Sequence, residues 1–216
     1  GCTAQANTTV TEPPVLTATA AMTPVLCFGG ATGSATCTPT GGVGPYSYSW
    51  APSGGVGPSA PGLTAGNYTC TVTDQNGCTT TASVIVTEPP VLAVTATSSP
   101  VLCFGGSTGS ASSTPTGGSG AYTFNWTPSG GTAQNATALA QGIYTITVTD
   151  ANGCTAQANT TVTEPPVLTA TTSFTQSTCS QANGSAAVVA AGGSPTYTYS
   201  WSPVGGTNAT ATNLMA

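Results

Sequence analysis

The chain contains no lysine, no arginine and no histidine. Without imidazole there is no ordinary general base at neutral pH, and without amines or guanidinium groups there is no Schiff base or phosphate clamp. Nothing can neutralise phosphates, so nucleic acid is excluded as a partner. A polybasic contact with an anionic membrane is excluded for the same reason. Negative charge is scarce too: Glu12, Asp74, Glu88, Asp150 and Glu164 are the only acidic side chains. An enzyme would have to be built from these well-separated carboxylates, so no catalytic residue is assigned and no cofactor is expected. No apolar run approaches the length of a membrane span, and no secretory leader is visible. The expectation is an interior piece of a longer, processed chain.

What the sequence does have is repetition. Trp50, Trp126 and Trp201 end closely related phrases: Tyr46-Ser47-Tyr48-Ser49-Trp50, Tyr122-Thr123-Phe124-Asn125-Trp126 and Tyr197-Thr198-Tyr199-Ser200-Trp201. Cys2, Cys78 and Cys154 are spaced by 76 residues, as are Cys27, Cys103 and Cys179. A period of 76 residues is too long for a solenoid coil and suits a small domain. The expected organisation is the last strand of a preceding repeat in residues 1–14, full repeats in 15–90 and 91–166, and a partial repeat in 167–216 that lacks its last two strands. Residues 1–19 duplicate 153–171 at every position, which places the start of the sequence inside a repeat.

Each repeat reads as all-β. In Tyr144-Thr145-Ile146-Thr147-Val148-Thr149 large apolar residues alternate with threonine, the pattern of a sheet with one buried face. Asp74-Gln75-Asn76-Gly77 reads as a hairpin turn with Gly77 at positive φ. In the second repeat, strands are expected near 91–101, 110–116, 122–127, 134–139, 143–149 and 155–163. Glu-Pro-Pro recurs at Glu12, Glu88 and Glu164, and two prolines favour a stiff, extended joint. The glutamates themselves read as solvated linker residues.

Eight cysteines point to an oxidising compartment. With no histidine and no Cys-x-x-Cys pair, they do not suggest zinc. The order Cys37, Trp50, Cys70, with Tyr68 two residues before Cys70, resembles an immunoglobulin-type sandwich. That resemblance implies a Cys37–Cys70 bridge between sheets. The internal comparison agrees, because both positions change together, to Ser113 and Ile146. For the other cysteines three pairings stay open. The simplest is within repeats, Cys27–Cys78 and Cys103–Cys154. A second joins neighbours, as Cys27–Cys154. A third, Cys2–Cys27, Cys78–Cys103 and Cys154–Cys179, spans long distances.

The phrases Cys-Phe-Gly-Gly-x-Thr-Gly-Ser-Ala, Gly-x-Tyr-x-Tyr-x-Trp, Gly-x-Tyr-Thr-x-Thr-Val-Thr-Asp and Asn-Gly-Cys-Thr are similar to SprB-type repeats. Those occur in very large surface adhesins of Bacteroidetes, including gliding-motility adhesins. The resemblance implies an extracellular immunoglobulin-like or PKD-like module used in adhesion or as a stalk. The third repeat departs from it, with Cys179-Ser180-Gln181-Ala182-Asn183-Gly184 in place of Cys-Phe-Gly-Gly.

The functional expectation is a structural or adhesive protein on a bacterial surface. Its partners would be neighbouring repeats of the same chain, or of other copies in a filament, and surface glycans. The alternative is a glycan- or calcium-dependent binding module. Asp74, Asn76, Asp150 and Asn152 offer oxygen ligands for calcium, though a polar hairpin turn explains them as well. Tyr46, Tyr48 and Trp50 could stack on a sugar, but strand alternation places them on the buried face. Asn-x-Ser/Thr sequons at Asn7, Asn67, Asn125, Asn135, Asn159, Asn183 and Asn208 are candidate glycosylation sites.

Overall fold

The computed structural model describes residues 1–215, all in strands, turns or extended segments without a helix. Among the described residues, therefore, no helix is long and apolar enough to cross a membrane. The chain divides into two compact units. The first comprises Gly1–Ala93, Thr116–Ala121 and Asp150–Cys154; the second comprises Val94–Pro115, Tyr122–Thr149 and Thr155–Ala216.

The first unit contains a sandwich of two three-stranded antiparallel sheets. Strands β1 (Thr17–Thr23), β2 (Gly33–Thr40) and β4 (Ser59–Leu63) form one sheet, in the order β1-β2-β4. Strands β3 (Ser47–Ala51), β5 (Gly66–Thr73) and β6 (Thr79–Val86) form the other, in the order β3-β5-β6. This is the immunoglobulin-like division of strands between two sheets. The core is drawn from both inner faces: Ala35 and Cys37 on β2, Trp50 on β3, Leu63 on β4, Tyr68, Cys70 and Val72 on β5, and Val86 on β6. Small residues on β2 let the facing sheet approach. A Cβ on Gly33 would stand 2.7 Å from Val86 Cγ1 and 2.8 Å from the Leu63 carbonyl oxygen.

The alternation read from sequence is the alternation observed. On β5, Tyr68, Cys70 and Val72 are buried while Thr69, Thr71 and Thr73 are only half-buried on the other face. Fully burying an aliphatic side chain of this size contributes about 1.5–3 kcal/mol, which directs each strand inward in one register only. Tyr68 Oη donates to the Thr64 carbonyl oxygen at 3.2 Å, and Tyr144 Oη to that of Ala140 at 3.1 Å. These are the tyrosine corners of an immunoglobulin-like sandwich.

The second unit repeats the plan. Its sheets are β7 (Ala93–Ser99), β8 (Gly109–Thr116) and β10 (Asn135–Leu139), then β9 (Thr123–Thr127), β11 (Gly142–Thr149) and β12 (Thr155–Val162). Each strand lies within a few residues of its expected span. The first is shorter because Val91 and Leu92 pass beside the Thr116–Gly118 turn, where Gly118 N–H donates to the Pro90 carbonyl oxygen at 2.9 Å. Gly117 has φ +72°, and a Cβ there would meet the Val91 carbonyl oxygen at 1.9 Å; only glycine fits this crossing.

Strands β13 (Thr169–Thr175), β14 (Gly184–Ala191) and β15 (Thr210–Leu214) form a single sheet. The phrase Tyr197–Trp201, which is β3 and β9 in the other repeats, makes no strand here. Its natural neighbour, a strand like β5 or β11, has no counterpart in residues 1–215. Trp201 is consequently half-buried, whereas Trp50 and Trp126 are buried. The same reason governs residues 1–14. Cys2–Val10 carry the sequence of Cys154–Val162, yet they are exposed and form no strand, because the pairing of β12 comes from β11.

Candidate functional site: the cysteine turn and the aspartate hairpin

Between β1 and β2 the chain makes a tight turn at Cys27-Phe28-Gly29-Gly30. Gly30 N–H donates to the Cys27 carbonyl oxygen at 3.0 Å, and Leu26 N–H to Thr32 Oγ1 at 2.8 Å. Gly29 N–H donates to Glu88 Oε2 at 2.6 Å. The Glu-Pro-Pro glutamate, expected to be a solvated linker residue, therefore fastens the turn of its own repeat. The second repeat does the same, with Gly105 N–H on Glu164 Oε2 at 2.7 Å. A spacing of 59 residues between glutamate and glycine leaves no local trace in sequence, so this role was not legible there.

The hairpin between β5 and β6 is organised by Asp74. Its Oδ1 accepts from Asn76 N–H at 2.9 Å and Cys78 N–H at 2.8 Å, and its Oδ2 from Val43 N–H at 3.0 Å. Gly77 takes φ +81°, as the turn requires. Asp150 repeats this on Asn152, Cys154 and Ser119. Burial works against the charge of both aspartates, but the backbone donors outweigh it and hold both carboxyl groups below the ordinary carboxylate range. The proposed calcium ligands Asp74 and Asp150 thus spend their oxygens on protein N–H groups. Asn152 Nδ2 donates to the Leu26 carbonyl oxygen at 2.9 Å. No group of three or more His, Cys, Asp or Glu that could hold a metal occurs among the described residues.

The two motifs meet in the first unit. Cys27 and Cys154 are disulfide-bonded, with Cα atoms 5.8 Å apart and a sequence separation of 127. Cys27–Cys78 and Cys103–Cys154 are therefore not formed; Cys78 and Cys103 are exposed thiols, as are Cys2 and Cys179. The topology explains this. The cysteine turn precedes β2, while the aspartate hairpin is tied to the loop that follows it, through Val43. Eight residues of β2 separate the two ends by roughly 27 Å, far beyond the Cα separation a disulfide tolerates.

The Cys37–Cys70 bridge expected from the sequence is not closed: Cys37 on β2 and Cys70 on β5, one from each sheet, are both buried free thiols. Burial, reinforced by the neighbouring Cys37, pushes the Cys70 thiol up to about 12. In the second repeat Ser113 Oγ donates to the Gln134 carbonyl oxygen at 3.0 Å, and Ile146, at the position equivalent to Cys70, is fully buried. The tryptophans are likewise held, with Trp50 Nε1 donating to the Gly57 carbonyl oxygen at 3.0 Å. Tyr46 and Tyr48 are half-buried on the inner face, so no exposed aromatic platform forms there. All seven sequon asparagines are exposed.

Residues 19–55, 95–131 and 171–206 each match the family model for the SprB repeat, together just over half of the chain. The chain belongs to the SprB repeat family. Each match spans most of the first strand, the cysteine turn and the tryptophan phrase, while the aspartate hairpins lie outside the matched residues. No curated protein matches the chain. Among solved structures, one described as the structural basis for Dscam isoform specificity is 14% identical, with a TM-score of 0.32, over 69% of this chain and 46% of that one. The N-terminal eight Ig domains of Down Syndrome Cell Adhesion Molecule are 14% identical, with a TM-score of 0.32, over 79% of this chain and 26% of that one. A tetra-tandem repeat in the extending region of a large adhesion protein is 16% identical, with a TM-score of 0.26, over 80% of this chain and 55% of that one. The SprB-repeat chain thus spans about half or less of the length of these solved chains.

Proposed function

We propose that this SprB-repeat chain is a structural segment of an extracellular adhesion protein, a stalk that carries tension rather than a site that binds a ligand. The observation that carries the reading is the Cys27–Cys154 bridge, which ties a cysteine of one repeat to a cysteine of the next. A covalent tie of this kind limits how far the chain extends when its ends are pulled apart. Membership of the SprB family supports an extracellular surface location, and paired prolines at Glu12, Glu88 and Glu164 support stiff joints. A Cys37–Cys70 bridge, closed in an oxidising compartment, would add a second tie inside the first sandwich. The partners of this reading are other repeats; the exposed sequon asparagines are positions at which glycans could be carried.

The reading is tested by stretching the purified, oxidised chain between its ends, beside a binding assay on a glycan array with and without calcium. Extension limited by the bridge, with no saturable glycan binding, supports the stalk. Saturable, calcium-dependent glycan binding replaces it with the direct-binding alternative.

A further inference from the structure

The cysteine turn and the aspartate hairpin behave as socket and plug, and the chain carries an extra copy of each. The Cys103 turn is built like the Cys27 turn: Gly106 N–H on the Cys103 carbonyl oxygen at 3.0 Å, Leu102 N–H on Thr108 Oγ1 at 2.9 Å, and Gly105 N–H on Glu164. At the Cys27 socket, the plug is the hairpin of the following repeat. It brings Cys154 to Cys27 and Asn152 to the Leu26 carbonyl oxygen.

Beside Cys103, within the second unit, lies an open cleft of about 640 Å3. Its lining includes Phe104, Leu168, Ala170, Val188, Tyr197 and Tyr199. In the first two repeats the equivalent sheet face is covered by the inward residues of a hairpin: Tyr68, Cys70, Val72 and Val86, then Tyr144, Ile146, Val148 and Val162. The place of the aspartate is open as well. A Cβ on Gly118 would stand 2.7 Å from Asp150 Oδ2, whereas the three atoms nearest one on the equivalent Gly193 all belong to the Leu168 side chain.

We propose that the Cys103 turn and the open face of β13–β15 are the seat of a β-hairpin of the Gly142–Thr163 type that follows β15, locked by a disulfide from Cys103 to the hairpin's cysteine. Register supports a hairpin supplied in the same chain: Leu214 ends β15 as Leu139 ends β10, and β11 begins three residues after Leu139. By this rule each SprB repeat is latched to the next, turn cysteine to hairpin cysteine, and Cys78 is the plug for the socket of a preceding repeat. The bond forms by exchange with a disulfide oxidant such as oxidised glutathione. The Cys103 thiolate displaces one glutathione thiolate, and the hairpin thiolate then displaces the second from the mixed disulfide. The proposal rests on the reading of the chain as a structural array.

The experiment extends the full chain after Ala216 with a copy of residues 142–163, oxidises it in glutathione buffer and maps its disulfides. The expected result is a second bridge, from Cys103 to the added cysteine, beside Cys27–Cys154. The proposal is overturned if the added cysteine pairs with Cys179, if it stays free while Cys27–Cys154 forms, or if Cys103 pairs with Cys78 of another molecule. Should the extended chain not fold, the peptide of residues 142–163, its cysteine carried as a mixed disulfide with glutathione, is offered to the unextended chain, whose attacking thiolate displaces the glutathione thiolate. It should label Cys103 at least about tenfold faster than Cys2, Cys78 or Cys179; equal labelling overturns the proposal. Loss of the latch with a normal Cys27–Cys154 bridge would leave the stalk reading standing.

Discussion

Stretching the chain between Gly1 and Ala216 reads the inter-repeat bridge directly. The disulfide shunts tension from Cys27 to Cys154 and hides the 127 intervening steps of backbone. A fully extended chain gains about 3.4 Å per residue, so removing the bridge adds roughly 430 Å of contour length. The comparison is between the oxidised chain and a Cys27→Ser, Cys154→Ser double variant in single-molecule force spectroscopy. A Cys37–Cys70 bridge would be nested inside the same loop, invisible while the outer bridge holds. In the double variant it would hide 33 steps, roughly 110 Å, so the two bridges are told apart by length alone. The same variant tests the energetics. Closing a loop this long is worth about 5 kcal/mol in the chain-entropy treatment, at the top of the range such bonds reach. That corresponds to a fall of roughly 2.5 M in the urea midpoint for a slope of about 2 kcal/mol/M. Replacing the exposed Cys78 or Cys103 by serine should change stability by less than about 0.5 kcal/mol. Equal contour lengths for the oxidised chain and the double variant would refute the reasoning, as would equal midpoints.

Ile146 is fully buried, so Ile146→Ala should cost about 2–5 kcal/mol in urea unfolding of the second sandwich. Because Asp74 and Asp150 have depressed carboxyl pKa values when folded, the stability they contribute is complete above the unfolded value of about 3.9 and is lost as pH falls through the lower folded values. Unfolding midpoints measured from pH 7 to pH 2 should therefore drop in the acid limb, and Asp74→Asn with Asp150→Asn should flatten that drop. Glu164→Ala removes the acceptor of Gly105 N–H; exchange of that amide should accelerate by roughly tenfold, for the loss of about 1–1.5 kcal/mol, while exchange in β11 stays unchanged.

How far the sequence could be read depended on the range of each interaction. The strands of the second repeat were legible because burial alternates with period two, and Tyr144, Ile146 and Val148 lie inward as that alternation demands. The Asp74 turn was legible because donors and acceptor lie within four residues. Glu88 was not, since its partner Gly29 is 59 residues away and nothing local marks an acceptor that reaches so far. Among the cysteines, the conserved spacing of 76 residues is equally compatible with pairing inside a repeat and pairing across repeats. Period alone cannot separate the two.

By itself the sequence determined the period, the all-β alternation and the membership that the Cys-Phe-Gly-Gly and tryptophan phrases declare. These are properties of residue type and near-neighbour order. The tertiary structure decided which cysteine meets which, because the ends of β2 lie a whole strand apart and a disulfide reaches only a few ångströms. It also decided where Glu88 and Glu164 act and which sheet face lies open. Those outcomes depend on distances across the fold, and a one-dimensional pattern carries no distance beyond the turn it encodes.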